Sequence, residues 1–147
     1  MVTPARIHGH PIHPMLVAFP IGLWVFSFVC DIVYVTVGGP AWSGAAFLTI
    51  LGGIVGAVAA AIPGLIDFWS LRSPNAFKMA LSHMALNVLA LTVFIVSAFS
   101  RGVGAPYSIS MTASAVGVVA LMFSGWLGGE LVYVRGIAVQ SGAQERG

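Results

Sequence analysis

Histidines are concentrated near the start of the chain, where HGHPIHPM, residues 8–15, holds three of the four. The fourth, His83, lies in the later stretch AFKMALSHMALN. Imidazole ligates haem iron as well as copper, nickel and zinc ions, and it also carries protons. These residues therefore predict a metal-bearing cofactor, a metal ion or a proton path.

The composition is that of a membrane protein. Of the 147 residues, 59% are hydrophobic and 7% are charged, and the mean hydropathy is +0.99, which is far above that of a soluble domain. The single cysteine, Cys30, excludes an internal disulfide and a multi-cysteine metal cage. The net charge of +2 is spread over loops, so we expect contact with the lipid bilayer and no nucleic-acid partner.

Four apolar stretches are long enough to cross a bilayer, which takes about 20 helical residues. They cover residues 14–37, 43–66, 76–99 and 109–134, and short connections rich in Gly, Pro or Ser separate them. The sequence therefore predicts an all-α fold, a transmembrane antiparallel four-helix bundle that forms a single membrane domain over residues 1–147.

The basic residues predict the orientation of this bundle. With four spans both termini lie on one side, and most of the Lys and Arg residues fall there. They are Arg6, Arg72, Lys78, Arg135 and Arg146. The positive-inside rule makes this side cytoplasmic, so we expect a bacterial inner-membrane protein with both termini in the cytoplasm.

The first and third spans carry polar residues at matching heights. His13 and Asp31 are 18 residues apart, and His83 and Arg101 have the same spacing, which is about five whole helical turns. This correspondence indicates a weak internal two-helix repeat. Because Asp31 and Arg101 would each be costly alone at membrane depth, we predict that they form a structural ion pair.

A b-type haem is the first hypothesis for the histidines. His13 and His83, at the same height on different helices, would be its axial ligands, and His10 is an alternative ligand. Two imidazoles leave iron without an open position, so the protein would transfer electrons or sense redox state. The propionates would lie near cations of the loops, namely Arg72, Lys78 and Arg135.

Polar neighbours would support these ligands. Asp67 and Glu130 close the second and fourth spans at the same height, and one of them would accept the second ring N–H of a ligand. Asn87, one turn beyond His83, would hydrogen-bond across the bundle. In the simpler alternative, the two carboxylates pair with nearby basic side chains. The chain contains neither GxSxG nor HExxH, so no hydrolase is expected, and whether it is an enzyme stays open.

Two other classes of function compete with haem binding. A copper, nickel or zinc ion could be held by His8, His10, His13 and Met15, since imidazole and thioether suit these ions. Alternatively, the layer of histidines and carboxylates could serve a metal or proton transport module. A structural subunit of a redox complex would need no cofactor at all. The metal site would survive the loss of His83, whereas haem needs His13 and His83 together.

Small residues lie on a row with a four-residue spacing in each of two spans. They are Gly52, Gly56, Ala60 and Gly64 in the second, and Gly117, Gly125 and Gly129 in the fourth. Such stripes let helices approach closely. They predict helix packing within the chain or, alternatively, room for a flat cofactor or the face of a homodimer.

Four segments together resemble a known family. They are HPIHPMLVAFPIGLWVFSFVCDIVY, GLIDF, AFKMALSHMALN and GGELVYVRGIAV. Over nearly its whole length the chain is similar to bacterial four-helix inner-membrane proteins of the domain-of-unknown-function family 2231, a label that assigns no activity.

The resemblance implies that a set of polar residues occupies the motif positions of the family. They are His10, His13, Asp31, Asp67, His83, Arg101, Glu130, Tyr133 and Arg135. Many members have a further histidine where this chain has Ala18, which disfavours a site that needs a second histidine in the first helix. Members are sometimes attached to Rieske-type iron–sulfur domains or found near them, so the resemblance implies redox work with a Rieske-type or other redox partner.

Overall fold

The structure is a computed structural model that describes residues 3–139, so Arg146 lies outside the described residues. Within this range the chain forms helical spans that are long and apolar enough to cross a membrane. They are Ile12–Val37, Pro40–Trp69, Pro74–Gly102 and Tyr107–Val134. The all-α four-helix fold predicted from the sequence is confirmed.

The helices are longer than predicted at most of their ends. Their bounds are α1 Ile12–Leu16, α2 Ala18–Val37, α3 Pro40–Trp69, α4 Pro74–Gly102 and α5 Tyr107–Gly129, and a π-helical turn, Glu130–Val134, continues α5. The sequence analysis assigned Pro40 and Pro74 to loops. Proline fits the first turn of a helix, where its missing N–H needs no partner, so α3 and α4 begin at these residues.

The first span is broken at Val17, between α1 and α2. Pro20 has no N–H to donate to the carbonyl one turn earlier, at Leu16. The N–H of Val17 still donates to the carbonyl of His13 at 3.1 Å. Helix α1 packs mainly on α3.

A short β-hairpin precedes the helices. Strand β1, Arg6–Ile7, pairs with the antiparallel strand β2, His10–Pro11. In the connecting turn His8 has φ 48° and Gly9 has φ 82°, the left-handed values that a two-residue hairpin turn of type I′ requires. The hairpin lies at the end of the bundle where residues 3–16, the end of α3, the start of α4 and the π-helical turn meet. We call this end the terminal side.

The packing is inverted relative to a soluble protein. Large apolar side chains such as Leu48, Val55 and Met122 are exposed, as they are on a helix surface that faces lipid. The interior holds Trp24 and Phe94 together with small polar residues. Those buried in the helices are Ser27, Ser97, Ser100, Ser110, Ser114 and Ser124. Helix α2 packs chiefly on α3, and α4 on α5, so α2 and α4 face each other diagonally across the bundle.

The internal repeat indicated by the sequence is present in three dimensions. Residues of α1 and α2 correspond to residues of α4 that lie 70 positions later, and residues of α3 to residues of α5 that lie 64 positions later. The Ser27 hydroxyl donates to a carbonyl of α3 at 2.9 Å, and its counterpart Ser97 donates to the matching carbonyl of α5 at 2.9 Å. Trp24 packs on Gly53 just as Phe94 packs on Gly117. The two halves therefore build the centre of the bundle from equivalent parts.

Candidate functional site

His13 and His83 meet in the interior of the bundle on the terminal side. Their ring centroids are 6.4 Å apart, and the ring planes are nearly perpendicular, at 87°. The two residues come from α1 and α4, and both are half-buried. The sequence places them at equal height on different helices, and the fold brings their side chains together.

Each imidazole is anchored by a backbone carbonyl of the neighbouring helix. Nδ1 of His13 lies 2.8 Å from the carbonyl oxygen of Ala60, and Nδ1 of His83 lies 2.8 Å from that of Ser124. Because a carbonyl oxygen only accepts, Nδ1 of each ring carries a proton, and in the neutral ring the lone pair then lies on Nε2. Neutral histidine binds a metal through such a lone pair.

These carbonyls take the role that the sequence analysis gave to Asp67 or Glu130. Oδ1 of Asp67 instead accepts the N–H of Ala5 at 2.9 Å and so holds the segment before the hairpin. Glu130 lies 3.9 Å from Nε of Arg135, measured from Oε1. The carboxylates are therefore used for local structure. The imidazoles are held by Ala60, which the sequence analysis named only as part of the small-residue stripe, and by Ser124, which it did not name.

Glycines make room for both rings. A Cβ on Gly64 would lie 2.7 Å from Nδ1 of His13, and a Cβ on Gly128 would lie 3.1 Å from Cε1 of His83. Each glycine follows the carbonyl that anchors its ring by one helical turn. The repeat thus builds the same ring site twice, which we call the cradle. Each cradle consists of a carbonyl that accepts a hydrogen bond from the ring and a glycine that packs against the ring.

Substitution of Gly64 by alanine tests this cradle. We expect Gly64→Ala to lower the free energy of unfolding by about 1–3 kcal/mol, the usual cost of overpacking, because the new methyl group would displace the His13 ring. The control is Gly44→Ala in the same helix, where a Cβ meets nothing within 4 Å. Equilibrium unfolding in mixed detergent micelles measures both, and equal stability of the two variants would refute the cradle.

Asn87 touches the site from α4 itself. Its Nδ2 donates to the carbonyl oxygen of His83 at 2.9 Å and lies 3.1 Å from Nε2 of the same residue. The prediction that Asn87 bonds across the bundle is therefore wrong, because both partners belong to its own helix one turn earlier. The bond across the bundle is made by Ser124, whose Oγ lies 3.0 Å from Nδ1 of His83.

The histidines of HGHPIHPM do not stay together. His8 and His10 lie in the exposed hairpin, while His13 points into the bundle from α1. A cavity of about 390 Å³ opens beside the hairpin, lined by residues that include His8, His10, Pro14 and Val132. Within residues 3–139, no group of three or more His, Cys, Asp or Glu side chains is arranged to hold a metal ion.

The predicted cations all lie on the terminal side. Arg72, Lys78 and Arg135 are exposed, at the connection between α3 and α4, at the start of α4 and after the π-helical turn. Arg6, which the sequence analysis did not assign to the site, links the hairpin to the end of the described chain. It donates to the carbonyl oxygen of Ala138 at 2.7 Å.

The ion pair predicted between Asp31 and Arg101 is present near the opposite side of the bundle. Nη2 of Arg101 lies 2.8 Å from both carboxylate oxygens of Asp31. Tyr107, which the sequence analysis did not link to the pair, donates its hydroxyl to Oδ1 of Asp31 at 2.6 Å and accepts from Nη1 of Arg101 at 3.0 Å. At about 1.5 Å per residue the pair is about 27 Å from the histidines, so it is a separate contact.

The glycine stripe of α3 is used inside the chain. A Cβ on Gly52 would meet Leu23 of α2 at 3.3 Å, and one on Gly56 would meet Pro20 at 3.2 Å. Gly64 is covered by His13, as described above. The predicted helix packing within the chain accounts for this stripe, which consequently gives no support to a homodimer.

Comparison with known proteins yields one family. A family model described as a predicted membrane protein (DUF2231) matches residues 9–141. No curated protein and no solved structure matches the chain.

Proposed function

Since the chain belongs to this DUF2231 family of predicted membrane proteins, whose description names no activity, we propose a function from its histidine pair: membrane haem b binding for electron transfer or redox sensing. His13 and His83 would be the axial ligands. The observation that carries the proposal is that two anchored imidazoles, one from α1 and one from α4, have ring centroids 6.4 Å apart.

The separation of the rings suits one shared iron. A metal–imidazole bond is about 2 Å long, and the centre of an imidazole ring lies about 1.2 Å behind its nitrogen. Two imidazoles on opposite sides of one ion therefore have centroids about 6.3 Å apart by this estimate. The protonation pattern also fits, because Nδ1–H donates to a carbonyl and Nε2 keeps its lone pair on both rings.

The surroundings support the same function. Bound haem supplies the exchange of one electron between ferrous and ferric iron. The chain contributes the two imidazoles, the carbonyls that orient them and the exposed cations on the terminal side, where Arg72, Lys78 and Arg135 would lie near the propionates. His10 stays the alternative ligand, although its place in the exposed hairpin makes it less suited than His13.

The proposal extends to location and partners. Arg72 and Lys78 lie on the terminal side, and the positive-inside rule then favours a cytoplasmic position for this side in the bacterial inner membrane. A Rieske-type or other redox partner would dock there, close to the histidines. A homodimer would form through α5, where Gly125 leaves open space for a second helix.

Absorption spectra of the purified protein test the function. We expect protein made with haem precursor present to show a Soret band and, on reduction with dithionite, resolved α and β bands. His13→Ala and His83→Ala should each lose most of the bound haem, because each removes one of two ligands. The His8→Ala/His10→Ala double variant is the control and should retain it.

Other outcomes would assign other functions. Full haem content in both His13→Ala and His83→Ala would refute the ligand assignment. Wild-type protein without haem, but with copper, nickel or zinc that is lost in the His8→Ala/His10→Ala variant, would favour a metal module instead. A protein with neither haem nor metal would favour proton transport or a structural subunit.

A further inference from the structure

The two imidazoles of the pair are not equivalent, although the repeat gives them equivalent anchors. The residue one turn after His83 is Asn87, whose amide lies 3.1 Å from Nε2 of His83. The residue at the corresponding place after His13 is Val17, which has no side-chain donor. Among the described residues, no hydrogen-bond partner is recorded for Nε2 of His13. Only one of the two ligand nitrogens is therefore already engaged.

The acceptors around His83 indicate where the protons of this network lie. The carbonyl oxygen of His83 accepts from Nδ2 of Asn87 at 2.9 Å, which fixes the amide with its NH2 group toward α4. The second N–H of that group then points to Nε2 of His83, which must accept. The proton of the ring consequently lies on Nδ1, where the carbonyl of Ser124 receives it at 2.8 Å. Every donor in the chain of bonds has an acceptor.

We propose that Asn87 is a positioning residue that competes with iron for Nε2 of His83. His13 is then the permanent axial ligand and His83 the exchangeable one. Release of His83 from a bound iron would break one metal–nitrogen bond, and Nε2 would again accept the hydrogen bond from Asn87. A small uncharged ligand such as carbon monoxide can take the vacated position.

This inference rests on the proposed function. It adds the binding of a small ligand to the redox state as a second signal that the protein would sense. A neutral hydrogen bond shifts such an equilibrium by roughly two- to tenfold. The His13 side offers no comparable bond, so exchange is confined to one face. The repeat supplies two similar ligands, and the single difference between Asn87 and Val17 makes them unequal.

Carbon monoxide binding to the reduced, haem-loaded protein tests the proposal. We expect Asn87→Val, which copies the residue of the other repeat, to raise the fraction of six-coordinate haem in the reduced spectrum. The rate of carbon monoxide binding should fall roughly two- to tenfold, because His83 leaves iron less often. The control is Thr92→Val on the exposed face of α4, where only a bond to the carbonyl of Val88 is lost.

A reciprocal variant keeps the test decisive if Asn87→Val does not fold. Val17→Asn adds an amide one turn after His13, and it should increase the rate of carbon monoxide binding. Haem-loaded protein in which neither variant differs from wild type in spectrum or rate would overturn the role of Asn87 and leave the proposed function intact. Wild-type protein that binds no haem would overturn both.

Discussion

Replacement of Arg101 by leucine should lower the free energy of unfolding by about 3–5 kcal/mol, the usual cost of leaving one member of a buried ion pair alone. The side chain of Asp31 is 0% exposed, so water cannot replace the lost guanidinium. Tyr107 would keep its hydrogen bond to the carboxylate, but a phenol cannot balance a full charge. Reversible unfolding in mixed detergent micelles measures the change.

A second substitution separates the lost pair from the orphaned charge. The double variant Asp31→Leu/Arg101→Leu removes the carboxylate as well, and we expect it to regain most of the lost stability, because a buried ion pair and an apolar pair often have similar stability. Thr36→Val on the exposed face of α2 is the control for a polar group lost from the same helix. Equal stability of Arg101→Leu and the double variant would show that the carboxylate is not costly when unpaired.

The Asp31–Arg101 pair also shows what the sequence can predict. In a membrane an isolated charge is costly, and the chain offers few partners at that height. Equal spacing of 18 residues from His13 to Asp31 and from His83 to Arg101 aligns the helices that carry them. Span length, helical period and the cost of burying charge are together enough to predict this contact and the equal height of His13 and His83.

The sequence does not predict what anchors the histidines. Every residue has a backbone carbonyl, so residue type alone does not show that the carbonyls of Ala60 and Ser124 are the ones that accept from the histidines. The sequence analysis proposed Asp67 or Glu130 because carboxylates are conspicuous acceptors, but Asp67 accepts the N–H of Ala5 and Glu130 lies beside Arg135. The bond from Ala5 to Asp67 depends on the position of the hairpin that follows Ala5, and this hairpin forms through left-handed backbone at His8 and Gly9. The two repeats do share a signal for these anchors, because Gly64 lies one turn after Ala60 and Gly128 lies one turn after Ser124.

Local backbone effects account for the other differences. The π-helical turn after α5 closes with the N–H of Arg135 donating to the carbonyl of Glu130, five residues earlier, at 3.1 Å. No rule of helical periodicity places such a turn, which inserts one extra residue into the helix. Likewise the predicted first span runs through Val17, because Pro14 and Pro20 are each tolerated in a membrane helix. The structure interrupts the helix at Val17, where Pro20 has no N–H to donate to Leu16.

Truncation of Trp24 to alanine should lower the free energy of unfolding by about 3–5 kcal/mol, the usual loss for a buried tryptophan. The side chain is 2% exposed and stacks on Phe94, with ring centroids 4.3 Å apart and planes 11° from parallel. Its Nε1–H donates to the carbonyl of Ile50 at 3.2 Å. Dispersion, stacking and this hydrogen bond are all lost together, and α3 cannot close the gap because Gly53 has no side chain to fill it.

Trp126→Ala is the matched control, because it removes the same atoms from a side chain that is 78% exposed on the lipid-facing surface. In a lipid or detergent environment that surface gains no hydrophobic stabilisation from burial, so we expect a change several-fold smaller than for Trp24→Ala. The Trp24→Ala/Phe94→Ala double variant should be more stable than the sum of its single effects predicts, since contacting residues are not additive. Equal losses for Trp24→Ala and Trp126→Ala would contradict the conclusion that the buried aromatic stack stabilises the centre of the bundle.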